Sequence, residues 1–221
     1  MICGQSTLVG EDQQTVKLVR LRCHSWTCSY CAQRRKKRLI KEAVRGTPNR
    51  FITLTVNVHR YDTPDEAAQA LSIAWRRARE ALKRYHGFKD LEAIMVFERT
   101  RAGWPHLHIL ARCAFISQKW LSGFMANRMD SPIVDVRKIK GARMAAGYVA
   151  KYIGKDPHRF DGTKRYWRTR HYLPPKADRA PTTRLWRVSM ACFDVWAKRL
   201  AGEAHIDAIR EAENMVFAKP P

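Results

Sequence analysis

From Ile52 to Val58 the chain alternates strictly: Ile52, Leu54, Val56 and Val58 are apolar, and Thr53, Thr55 and Asn57 between them are polar. Successive side chains of an extended chain point to opposite faces, so a period of two means a strand with one face buried. Beyond Val58 the period keeps switching. Thr63-Pro64-Asp65-Glu66 reads as a helix start, with Thr63 as N-cap, Pro64 at the first helical position and Glu66 closing a capping box. Ala67, Leu71, Ala74, Trp75, Ala78, Leu82 and Tyr85 recur at helical spacing until Gly87. Leu91 to Glu98 is a second strand, Arg99 to Pro105 a hairpin connection and His106 to Arg112 a third strand. Ser117 caps a short helix reaching Asn127, Ile133, Val134 and Val136 mark a fourth strand, and Ala142 to Lys155 is helical. The order β-α-β-β-α-β-α predicts an α+β fold, an antiparallel sheet with helices packed on one face.

Around this block the composition shifts, and three parts are expected. Residues 1–46 are cysteine-rich and basic, residues 47–175 carry the strand and helix pattern, and residues 176–221 are a basic linker followed by a helical tail. Lys and Arg number 42 against 20 Asp and Glu, a formal charge of +22. That excess goes beyond what solubility needs and calls for an acidic partner, nucleic acid first. An anionic membrane is the other candidate, but no apolar run approaches the length of a bilayer span. Met1 to Asp12 has neither a positive n-region nor an apolar h-region, so a cytoplasmic location with reduced cysteines is expected.

Two groups of residues carry chemistry in the patterned block. His106 and His108 flank Leu107 on a strand, so both imidazoles share one face while Leu107 points into the core. Glu98 ends the preceding strand, where a hairpin brings it beside them. Two His and a carboxylate can hold one divalent cation and leave positions open for phosphate and water, although His on a strand can equally be a core or surface residue. Tyr148 and Tyr152 lie one helical turn apart, with Lys151 and Lys155 each three residues further on. A tyrosine hydroxyl can attack a phosphodiester when its anion is stabilised, and a nearby Lys supplies the charge. The bland alternative is an amphipathic helix with tyrosines at its margin.

Taken together, Phe51-Ile52-Thr53-Leu54-Thr55-Val56-Asn57, Gly103-Trp104-Pro105-His106-Leu107-His108 and Tyr148-Val149-Ala150-Lys151-Tyr152-Ile153-Gly154-Lys155 resemble the three ordered motifs of the HUH replication initiators. The likeness is nearest to the replication-associated proteins of filamentous and small isometric single-stranded DNA phages, and it covers roughly Cys23 to Lys155. It implies an HUH endonuclease fold of the ferredoxin or RRM type. It also implies Mg²⁺ or Mn²⁺ on His106, His108 and Glu98, with Tyr148 and Tyr152 as nucleophiles. The implied activity is rolling-circle initiation: site-specific nicking and rejoining of single-stranded DNA through a 5′-phosphotyrosine. The chain has no Gly-x-x-x-x-Gly-Lys-Ser/Thr loop, so a host helicase is an expected partner beside origin DNA and a polymerase. A transposase or relaxase of the same chemistry is a rival. From another class, so is a non-catalytic zinc-containing nucleic-acid-binding regulator.

Cys28 and Cys31 form Cys-x-x-Cys, with Cys23 five residues earlier and Cys3 further upstream. Four thiolates so spaced suit a structural, tetrahedral Zn²⁺, with His24 as an alternative to Cys3. The basic run Arg34-Arg35-Lys36-Lys37-Arg38 follows directly and is expected to bind DNA, unless it is only the solvated face of a helix. Cys113 and Cys192 are expected in the core. Between Arg159 and Tyr172, basic residues interleave with Tyr166, Trp167 and Tyr172, which read either as base-stacking residues or as core.

Overall fold

The computed structural model describes residues 3–149, 151, 157–175, 184–201 and 214–218. In chain order its elements are β1 (Thr7–Glu11), β2 (Thr15–Arg20), α1 (Ser29–Arg45), β3 (Arg50–Thr55), a short 3-10 turn (Val58–Arg60), α2 (Pro64–Tyr85), β4 (Glu92–Arg99), β5 (Pro105–Arg112), α3 (Gln118–Met129), β6 (Val134–Lys138), α4 (Gly141–Tyr148), β7 (Tyr166–Arg168), β8 (Leu185–Ser189), α5 (Phe193–Ala201) and β9 (Asn214–Ala218). They fall into two compact units: residues 36–176, and residues 1–35 together with 177–221. None of the described helices is long and apolar enough to cross a membrane.

The unit of residues 36–176 is built on a five-stranded sheet in the order β6-β3-β5-β4-β7, antiparallel throughout. Strand alternation sorts its residues cleanly. Ile52 and Leu54 of β3, Met95 and Phe97 of β4, and Leu107 and Ile109 of β5 bury one face against Leu71, Trp75 and Leu82 of α2 and Leu121 and Met125 of α3. The opposite face carries a second core, which the expectation of helices on one face did not include. Here Phe51, Ile94, Val96 and Leu110 meet Leu39 and Ala43 of α1, Ala145 of α4 and Val149 just after it. Tyr172 seals this core: it is fully buried, and its hydroxyl donates to the Ala43 carbonyl at 2.6 Å. That settles Tyr172 as a core residue, whereas Tyr166 and Trp167 are half-buried.

Local chemistry explains the helix ends. Thr63 Oγ1 accepts from the Glu66 N–H at 3.2 Å, and Pro64 occupies the first turn of α2. The Glu66 carboxylate does not return to the cap residue itself: it accepts from the Asp62 N–H, one residue earlier, at 3.4 Å. Ser117 accepts from the Trp120 N–H and starts α3. The fourth strand begins one residue later than the apolar run suggested, because Ile133 is two-thirds exposed.

In the other unit, four strands run in the order β8-β1-β2-β9, all antiparallel. Val9, Val16 and Leu18 pack with Phe193 and Ala197 of α5. Arg20, 8% exposed, lies 4.4 Å over the Phe193 ring and pairs with Asp194 at 2.6 Å. The C-terminal segment therefore carries a helix, as expected of a helical tail, and adds strands β8 and β9 that sequence periodicity did not place. The three consecutive parts drawn from composition become two units because both ends of the chain contribute to this second sheet.

Candidate metal centres and a candidate nucleophile

Strand register assembles the first site. Thr55, His106 and Glu98 lie side by side across β3, β5 and β4, and Thr53, His108 and Val96 form the next row on the same face. His108 is 2% exposed. Its Nε2 lies 2.6 Å from Glu98 Oε2, and its Nδ1 lies 3.1 Å from Thr53 Oγ1. The His106 and His108 rings stand nearly perpendicular, 6.1 Å apart. One ligand atom from each of Glu98, His106 and His108 falls within 4.8 Å of the others.

The donor set fits a small divalent cation. Bonds of about 2.1 Å put ligand atoms between about 3 Å (adjacent) and about 4.2 Å (opposed) apart, a range close to the spacing of these three side chains. The carboxylate suits hard ions such as Mg²⁺ or Mn²⁺, and the two imidazoles suit borderline ions such as Zn²⁺ or Fe²⁺. With a cation on Nε2, the His108 proton must sit on Nδ1, where Thr53 Oγ1 accepts it and fixes the ring. Burial, and then the neighbouring His108, push the His106 pKa below its ordinary value, with Glu98 opposing. His106 is thereby kept in the neutral form that ligates metals.

Beside this group stands a row of rings. Phe51, two residues before Thr53 on β3, stacks on His108 at 5.6 Å and 17°. It also stacks on Tyr148 at 4.8 Å and 18°. Tyr148, the last residue of α4, is half-buried, and the next residue, Val149, is fully buried. Arg137 pairs with Phe51 across β6 and β3 and ion-pairs with Asp135 at 2.7 Å. Asp135 first and then Tyr148 raise its pKa. The sequence reading missed Arg137. The usable signal was that Asp135 and Arg137 alternate with Val134 and Val136, so they face the same way as the histidines. Lys151 is exposed. Tyr152 and Lys155 lie outside the described residues.

In the other unit the four Sγ atoms of Cys3, Cys23, Cys28 and Cys31 gather within 4.8 Å of one another. Cys3 and Cys31 are 3.3 Å apart, and Cys23 and Cys31 are 3.8 Å apart. A tetrahedral Zn²⁺ with bonds of about 2.3 Å spaces its sulfurs about 3.8 Å apart. The grouped residue is Cys3; His24 is exposed and stands outside the cluster. Hydrogen bonding, led by the Cys23 backbone N–H, holds the Cys3 thiol down at about 6, while burial pushes Cys31 up to about 12. Cys113 is buried and pushed up to about 11, but Cys192 is only half-buried, short of the core position expected for it.

Of the basic run, Arg34, Lys37 and Arg38 are exposed, and Arg35 and Lys36 are half-exposed. Arg38 is tied to the buried Glu42 at 2.9 Å, which also holds Arg168 at 3.0 Å. Arg35 lies 4.9 Å over the Trp26 ring, and Arg22 lies 3.8 Å over Tyr30. The last two contacts dress the cysteine cluster with aromatic and cationic groups.

Residues 49–157 match a family model of replication-associated proteins of the ORF2 type. The matched stretch runs from the start of β3 past α4 and contains Glu98, His106, His108 and both tyrosines. No curated protein and no solved structure matches the chain. The likeness to these replication-associated proteins supports a role in replication initiation and, through it, interaction with DNA.

Proposed function

We propose that the protein nicks and rejoins single-stranded origin DNA during rolling-circle replication, through a tyrosine nucleophile and a divalent cation, in the manner of the HUH initiators. One observation supports this reading: Phe51 stacks both on His108, a candidate metal ligand, and on Tyr148.

Glu98, His106 and His108 would hold Mg²⁺ or Mn²⁺, which would supply Lewis-acid polarisation of the scissile phosphate. The Tyr148 oxygen attacks phosphorus as its proton departs, the P–O3′ bond breaks, and the 3′ oxygen takes up a proton. The products are a 5′-phosphotyrosine and a free 3′-OH that primes synthesis. Arg137, whose charge Tyr148 favours, stabilises the negative charge on the Tyr148 oxygen, the part sequence reading gave to Lys151. Tyr152 takes the second transfer, which closes the circle. Cys3, Cys23, Cys28 and Cys31 hold Zn²⁺ as a structural clasp, and the basic run of α1 engages the DNA backbone.

Incubating the protein with labelled single-stranded origin DNA and Mn²⁺, followed by mass spectrometry, tests the reading. The expected product is one strand fragment joined covalently to Tyr148 or Tyr152, absent from a variant in which both are Phe. His106→Ala and His108→Ala should form no adduct while keeping most DNA affinity, because many Lys and Arg share the phosphate contacts. An intact oligonucleotide with bound protein would establish the non-catalytic regulator instead.

A further inference from the structure

The sheet face away from the histidines carries a feature that nicking does not use. Trp167 of β7 pairs with Met95, whose side chain lies in the α2 core. There, α2 and the loop entering β7 enclose a concavity of about 320 Å³. This lies within the range of about 300–1,000 Å³ found for small-molecule sites. Trp75, Trp167 and Ile73 give it an apolar wall, and Arg76, Arg79 and Lys164 stand around it.

The loop is fastened for this approach. The Asp161 N–H donates to Asp65 Oδ1 at 2.8 Å, and Gln69 Nε2 donates to the Asp161 carbonyl at 3.0 Å. Gly162 has φ +73°, and a Cβ there would lie 2.5 Å from Gln69 Nε2. Only glycine lets the backbone come so close to α2 in that conformation. The Thr163 hydroxyl then donates to the Phe160 carbonyl at 2.7 Å and closes the turn.

Among the described residues, none of the three cations has an ion-pair partner, and Arg79 Nε is buried without a hydrogen bond. Glu92 and Glu80 favour the Arg79 charge, but burial outweighs them and lowers its pKa. Neither carboxylate lines the concavity. Three like charges held around one hollow repel each other, and an anion relieves that repulsion. Guanidinium groups suit phosphate oxygens, and an indole face suits a nucleobase.

We infer that this concavity binds a phosphate-bearing nucleotide, with Arg76, Arg79 and Lys164 on the phosphate and Trp167 against the base. The ligand is either a nucleotide within single-stranded DNA or a free nucleoside monophosphate, and both offer the same chemistry. The inference goes beyond the nicking reading, and its test runs without Mg²⁺ or Mn²⁺, so an inactive nuclease leaves the result standing.

The test uses the full chain and two probes, a fluorescein-labelled dT15 oligonucleotide and dTMP. Arg76→Gln and Lys164→Gln alter exposed residues and should keep the fold. Arg77→Gln, on the exposed side of α2 and outside the concavity, is the control. Each concavity variant should weaken dT15 binding about fivefold or more and lower the log–log salt slope by about 0.7, the value for one phosphate contact on a single strand. Arg77→Gln should change binding less than about twofold. The Trp167 indole N–H signal, assigned by its loss in Trp167→Phe, should shift on adding ligand. A shift with dTMP that Lys164→Gln abolishes identifies a free-nucleotide site, and a shift with dT15 alone identifies a strand site. The inference is overturned if Arg77→Gln loses as much affinity as Lys164→Gln, or if neither probe moves the Trp167 signal.

Discussion

Phe51 and Tyr148 lie face to face, their ring centroids 4.8 Å apart and their planes 18° from parallel. The contact joins a central strand to the end of α4, so the position of Tyr148 depends on a side chain that performs no chemistry. Phe51→Leu keeps the site apolar but removes the ring and three carbons from a buried position. Its stability cost should be about 1–2 kcal/mol. Adduct formation should fall about tenfold or more, because small misplacement of a nucleophile is costly. Single-turnover assays beside denaturant melts would separate the two effects. An adduct rate equal to wild type would show that the stack does not position the tyrosine.

Arg137 ion-pairs with Asp135, and Tyr148 favours its charge; the two effects can be divided by substitution. Arg137→Gln should slow adduct formation by about 10²-fold or more, comparable with removing one charge-stabilising donor in other enzymes. Asp135→Asn keeps the Arg137 charge and loses only its anchor, so a milder defect is expected. Equal defects in the two variants would make Arg137 an anchor rather than the group that stabilises the Tyr148 charge.

Elemental analysis of purified protein should find about one zinc per chain. Cys3→Ser should lose that zinc, while His24→Ala keeps it, since the cluster is closed by Cys3. The reverse result would move the fourth ligand to His24. Chelation should lower the thermal midpoint, because metal-binding energy in such clusters is also folding energy.

Asp12 pins the β1–β2 turn. It accepts from the Gln14 and Thr15 N–H groups at 3.0 and 2.7 Å and pairs with Arg184 at 2.8 Å. These contacts, led by the Gln14 N–H, lower its pKa to about 2 from 3.8. The folded form therefore holds its proton less tightly than the unfolded chain. The resulting stability is fully present above pH 3.8 and is lost as pH falls through about 2. Asp12→Ala should be less stable than wild type at pH 7 and should converge on it near pH 2, as urea melts would record. A gap that stays constant with pH would remove the carboxylate from the account.

The sheet and its metal face were legible because both are local. Alternation along Ile52 to Val58 gave a strand, a short hairpin brought Glu98 to His106, and His-x-His needs only one strand to set both rings on one face. The cysteine group was legible from residue type and spacing. Pairings distant in sequence were not. Thr7 meets Ser189 and Val16 meets Phe217, and no short window contains either pair. Nor does β1 advertise itself, since it is five residues long with Gly10 inside it. Gly10 is there because the Trp186 ring lies across it, within 2.6 Å of where a Cβ would be. The second core escaped notice for a related reason: Leu39 and Ala43 are few among the many charges of α1, and their partners Phe51 and Leu110 belong to other elements.

The pairing of β1 with β8 also orders events during synthesis. Residues 7–11 are made well before their partner strand, which begins only at Leu185. A two-stranded hairpin such as β1–β2 is marginal alone, so it waits on the ribosome while residues 36–176, complete in themselves, emerge and fold. The sheet that β1 begins is completed only when β8 is made, and a premature stop before Leu185 leaves one edge of β1 open.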